Sequence, residues 1–68
     1  MQKLSTPQPL SQICADDIVR DPGTGRLLRV RLTERGNVYT GIAGTDLDTG
    51  ADVVISVRNT ARMSVYVD

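Results

Sequence analysis

From Ile13 onward the chain is a succession of short runs in which every second residue is apolar. In RLLRVRLT, Leu28, Val30 and Leu32 alternate with Arg29, Arg31 and Thr33, the period of a half-buried strand. In NVYTGI, Val38, Thr40 and Ile42 alternate with Tyr39 and Gly41, and in DVVISV, Val53, Ile55 and Val57 share one face. MSVYVD repeats the pattern with Met63, Val65 and Val67 against Ser64 and Tyr66. With DIVRD ahead of the loop signal Pro22-Gly23-Thr24-Gly25, five strands are predicted over residues 17–21, 26–33, 37–46, 51–58 and 63–67. Arg58-Asn59-Thr60-Ala61-Arg62 predicts a short helical turn, and no long amphipathic helix pattern is present.

The turns suggest a register. Glu34-Arg35-Gly36 reads as a three-residue loop closed by a left-handed glycine. It would set Leu32 against Val38, Val30 against Thr40 and Leu28 against Ile42, with Arg31 and Tyr39 as cross-strand neighbours on the opposite face. Asp48-Thr49-Gly50 reads as the same device between Leu47 and Ala51. Pairing outward from it sets Thr45 against Val53 and Ala43 against Ile55, out of phase with an inward Ile42. A bulge or sharp bend near Gly44 is the expected repair.

The opening MQKLSTPQPLSQ carries Pro7, Pro9 and three Gln. It is expected to form a flexible N-terminal arm over residues 1–12, with the folded domain over 13–68. Sixty-eight residues with 40% hydrophobic content form one small domain, near the lower size for a single core without staples. A lone Cys14 and the absence of His leave no intramolecular disulfide and no zinc site of the usual ligand types. The first residues do not read as a secretory signal, and no segment approaches a membrane span. The expectation is a soluble protein of a reducing, cytoplasmic setting.

Formal net charge is zero, which argues against a generic polyanion binder, yet the charges are segregated. Arg20, Arg26, Arg29, Arg31 and Arg35 precede Asp46, Asp48 and Asp52, and seven of the eight cations are Arg, the residue suited to planar and bidentate contacts. Candidate chemistry is thin. Leu47-Asp48-Thr49-Gly50-Ala51-Asp52 resembles the active-site segment of retroviral-type aspartic proteases, but residues 51–68 are too few for a flap and a supporting segment, so it is read as a turn. As a calcium loop, Asp46, Asp48 and Asp52 lack the required Gly and Glu spacing, and these three are read as solvated turn carboxylates. Pro22-Gly23-Thr24-Gly25-Arg26 lacks the phosphate-loop Lys and a following helix. Cys14, with no His to activate it, is expected to be a buried or half-buried apolar residue.

The stretch VRLTERGNVYTGIAGTDLD has a strand, a Gly turn, a hydrophobic-x-Gly step and a following Asp. In this it resembles the first motif of the Sm-like proteins, and the strand order resembles SH3-like small barrels. The resemblance implies an all-β fold, a small five-stranded antiparallel SH3-like or Sm-like barrel, and it admits RNA binding.

No set of residues supplies a general base, an activated nucleophile and an electrostatic stabiliser together, so no enzyme, cofactor, metal or small-molecule substrate is expected. A binding role remains. The expected function is a non-catalytic interaction domain for a protein partner or for itself, of the kind that regulates or inhibits a larger machine. RNA or single-stranded nucleic acid is the alternative. For nucleic acid the candidate surface is Arg29, Arg31, Tyr39 and Arg58, which otherwise reads as an ordinary solvated strand face. For a partner or a second copy, open strand edges are the expected route, by strand pairing between subunits.

Overall fold

Extended backbone with one apolar face must bury that face. The computed structural model, which describes residues 2–3 and 6–67, shows how this chain does so. The strands in chain order are β1 (Gln2–Lys3), β2 (Gln8–Pro9), β3 (Ile18–Arg20), β4 (Leu27–Arg35), β5 (Tyr39–Asp46), β6 (Asp52–Arg58), β7 (Arg62–Met63) and β8 (Val65–Val67). One 3₁₀ turn spans Leu10–Gln12, and there is no α-helix among the described residues. The fold is all-β and antiparallel. One sheet has the order β1-β8-β3-β4-β5-β6, and β2 pairs with β7 in a separate two-stranded ladder. The predicted fifth strand is divided at Ser64, so that β7 joins β2 while β8 joins β3 and β1.

The core is aliphatic. Leu10, Ile13, Val19, Leu28, Val30, Ile42, Val57, Met63 and Val65 form one buried cluster, with Val53, Ile55 and Ala61 packed against it. Both tyrosines lie outside this cluster, and Ile18, also buried, is on the other face of β3, paired with Arg29 on one side and Tyr66 on the other. Arg20 ties this region together. Its Nε donates to the Tyr66 hydroxyl at 2.9 Å, its NH1 group donates to the Gly25 carbonyl at 2.8 Å, and its guanidinium carbon lies 5.4 Å from the Tyr66 ring centroid.

The register expected for the first hairpin is corrected. β4 runs through Glu34 and Arg35, where a turn was expected, and Arg35 pairs with Thr40, Thr33 with Ile42 and Leu32 with Ala43. Gly36 does not take a left-handed conformation. It allows a close approach instead, because a Cβ there would meet the Tyr39 carbonyl at 2.9 Å. Beyond Leu32 the register shifts, so that Val30 pairs with Gly44 and Leu28 with Asp46, leaving Arg31 as the extra residue. The irregularity expected near Gly44 is therefore present, but the added residue belongs to the neighbouring strand. It keeps Leu28 and Val30 inward while turning Leu32 outward, where it is 51% exposed.

The second hairpin differs from expectation by one residue. Asp46 N–H donates to the Ala51 carbonyl at 2.9 Å and Gly50 N–H to the Asp46 carbonyl at 2.8 Å, with Gly50 at φ 74°. The loop thus holds four residues, not three, and pairs Ile42 with Ile55 and Gly44 with Val53. All the inward positions of β5 and β6 then agree in phase.

Three further expectations are corrected. The segment read as an arm contributes to the fold, since Gln2–Lys3 pairs with β8, Gln8–Pro9 pairs with β7, and Leu10 is buried in the core. Pro9 presets an extended backbone, and Leu10 covers apolar surface that the sheet leaves open. Cys14 is exposed, because its backbone N–H is bonded to the Asp17 carboxylate at 2.9 Å in a surface loop. Asp46 is not a solvated turn carboxylate, being 4% exposed.

Candidate functional site

In the three-strand segment β4-β5-β6 the outward residues are set by the bulge and the two hairpins. Row by row across the strands they are Arg29, Thr45 and Asp52, then Leu32, Ala43 and Val54, then Glu34, Gly41 and Ser56, and at the far end Tyr39 and Arg58. All four predicted site residues, Arg29, Arg31, Tyr39 and Arg58, are exposed. They do not form one site. Six positions of β5 separate the Arg29 row from the Tyr39 row, roughly 20 Å at strand rise. Arg31 and Tyr39 are not the cross-strand neighbours expected of them.

Each pair has its own partner. Tyr39 is half exposed and pairs with Arg58, whose guanidinium carbon lies 5.6 Å from the ring centroid, so the ring face is already occupied by a cation. At the other end Arg31 Nε lies 3.8 Å from the Asp52 carboxylate, a long contact between exposed groups that contributes little to stability.

Between them lies what the sequence reading missed. Leu32 and Val54, the latter 74% exposed, stand on either side of Ala43 in one cross-strand row. With Gly41 and Ala43 as the small outward residues of β5, the row forms an apolar centre between polar and charged neighbours, Arg29, Arg31, Thr45 and Asp52 on one side and Glu34 and Ser56 on the other. Val54 was legible as outward from DVVISV, where it is out of phase with Val53, Ile55 and Val57. Leu32 was not, because only the bulge at Arg31 turns it over.

No family model, curated protein or solved structure matches the chain.

The remaining candidates are structural. Asp46 accepts from Asp48 N–H at 2.8 Å and from Arg26 at 3.0 Å. The Asp48 N–H chiefly, aided by Arg26 and the Thr49 N–H and opposed by desolvation, holds its carboxyl below the usual carboxylate range. In this way the Asp-Thr-Gly segment is a hairpin loop clasped by Asp46. The Pro22–Gly25 segment is likewise a turn, closed by Gly25 N–H to the Asp21 carbonyl at 2.8 Å, with Asp21 also accepting from Gly23 N–H and the Thr24 hydroxyl. A depression of about 140 Å³ lined by Leu10, Ile13, Thr33, Arg35 and Thr40 is below the size of ordinary ligand pockets. Among the described residues no helix is long and apolar enough to cross a membrane.

Proposed function

We propose that this chain is a small non-catalytic interaction domain of the SH3-like or Sm-like barrel type. It docks a protein partner, or a second copy of itself, through the outer face of β4-β5-β6. The barrel reading is supported by the pairing of the first strand of the central meander, β3, with the last strand, β8. One observation carries the docking reading: the outward row of exposed Leu32 and Val54 on either side of half-buried Ala43, set by the Arg31 bulge and rimmed by charges of both signs. An apolar centre in a polar rim is the pattern of protein interfaces. A nucleic-acid surface would instead concentrate positive charge, whereas here Glu34 and Asp52 share the face with the arginines.

The test is recovery of a protein by the immobilised chain from nuclease-treated lysate, compared with a Leu32→Lys/Val54→Lys variant that keeps its circular dichroism spectrum. A protein held by the wild type and lost by the variant supports the docking face. Equal retention by both, or loss of all retention after nuclease, contradicts it.

A further inference from the structure

β6 ends the sheet order, and among the described residues no strand pairs with its outer edge. Over seven residues, Asp52–Arg58, this edge carries no Pro, no Lys and no inward-pointing charge, the features that usually block edge-to-edge pairing. At the sheet's other end, the described part of β1 is two residues, Gln2–Lys3.

The direction of the free backbone groups can be worked out. Asp46 N–H donates to Ala51 at one end of the β5-β6 pair and Asn59 N–H donates to Val38 at the other. Hydrogen-bonded pairs alternate in an antiparallel ladder, so Val53, Ile55 and Val57 direct their N–H and C=O groups to β5. Asp52, Val54, Ser56 and Arg58 direct theirs away. The Arg58 carbonyl accepts from Ala61 N–H at 2.9 Å, which leaves its N–H as a donor to the edge.

We propose that the chain forms a two-fold symmetric dimer in which the β6 edges of two copies pair antiparallel about Ile55. In this register Val54 exchanges backbone hydrogen bonds with Ser56 of the second copy, and Ser56 with its Val54, so the free groups meet free groups. The dyad passes through the non-hydrogen-bonded Ile55 pair. Asp52 then stands opposite Arg58 of the second copy at both ends, so each interface carries two complementary charge pairs. A slip of two residues would preserve hydrogen-bond matching, but it would set Asp52 against Ser56 of the second copy in one direction or leave it beyond the strand in the other. Only the pairing about Ile55 uses all of β6 and both charges.

Side-chain burial agrees with this pairing. On the inner face, the half-buried Val53 and Ile55, which already pack on the core, meet Val57 and Ile55 of the second copy. On the outer face, Val54 lies diagonal to Val54 of the second copy, within reach across the ladder. The two Leu32-Ala43-Val54 rows thereby approach each other around the axis. This inference rests on the docking-face reading and selects a second copy of the chain as the occupant.

The test is sedimentation velocity of the full chain from about 10 µM to about 1 mM, a range that exposes association by mass action. The wild type is expected to pass from its 7.4 kDa monomer to a species of twice that mass. Asp52→Arg alone and Arg58→Asp alone should each weaken association about tenfold or more, since each turns two attractive pairs into repulsive ones. Mixing the two variants should restore a dimer, because every facing pair in the mixed species is again of opposite sign. A wild type that stays monomeric throughout overturns the proposal, and so does a dimer indifferent to both substitutions. If a monomeric wild type still retains another protein through Leu32 and Val54, the docking face stands and only the second copy is refuted. If it retains none, both are refuted.

Discussion

The carbonyl oxygen of Arg29 lies 2.6 Å from where a Cβ on Gly44 would stand. This contact is the counterpart of the bulge: with Arg31 inserted into β4, the backbone after Arg29 crosses Gly44 too closely for any side chain. The obstructing atom is backbone and does not swing aside. Gly44→Ala should therefore cost about 1–3 kcal/mol, as overpacking does, and each kcal/mol lowers Tm by about 4–8 °C in a domain of this size. Gly41→Ala, whose nearest neighbour would be at 3.9 Å, is the control expected to change Tm little. Thermal melts of the two variants decide the point.

Acid should loosen the 46–51 hairpin through Asp46. Its carboxyl is held below its ordinary value by the Asp48 N–H first and by Arg26. A carboxylate whose folded pKa is depressed contributes stability above its unfolded pKa and loses that contribution as pH falls through the folded value. Urea midpoints measured from neutral pH downward should fall through the carboxylate range. Asp46→Asn should be less stable than wild type at neutral pH and should show a shallower decline.

Asn59 fastens the tip of the first hairpin to the end of β6. Its Oδ1 accepts from the buried Thr40 hydroxyl at 2.6 Å, its Nδ2 donates to the Gly36 carbonyl at 2.9 Å, and its backbone N–H donates to Val38. Asn59→Ala leaves the Thr40 hydroxyl without its partner, at a cost of about 1–3 kcal/mol. Thr40→Val removes the buried hydroxyl itself and should cost less. Equilibrium denaturation of both variants gives the order.

For nucleic acid the expected result is negative. Labelled random single-stranded RNA titrated at low salt, where electrostatic attraction is strongest, should show no saturable change in anisotropy. Saturable binding that weakens steeply with salt and disappears in an Arg29→Ala/Arg31→Ala variant would favour the alternative function instead.

How much of this was legible in the chain depends on which interactions set each feature. The five predicted strands were visible because burial imposes a period of two, and each lies within a few residues of its predicted place, whereas β1 and β2, in a segment without that period, were not. The Asp48-Thr49-Gly50 segment was legible as a turn because Gly50 alone tolerates its left-handed backbone at no cost. The register of the first hairpin was not legible. RLLRVRLT alternates without interruption, and nothing in it marks Arg31 as the added residue; that follows from the contact between Gly44 and the Arg29 backbone, two strands brought together only by folding. Tyr39 and Arg58 share a row because the Leu47–Gly50 loop holds four residues, one more than the sequence suggests. The burial of Asp46 depends on Arg26, twenty positions earlier, and a local reading leaves such a carboxylate in water.

Placing a photo-crosslinking residue at Val54, with a second at Asp48 in the hairpin loop as control, tests the docking face most directly. Irradiated in nuclease-treated lysate, the Val54 position should yield a discrete protein adduct, either with a second copy of the chain or with another protein, and the Asp48 position should not. Adducts equal at both positions, or absent from both, would contradict a docking surface on β4-β5-β6.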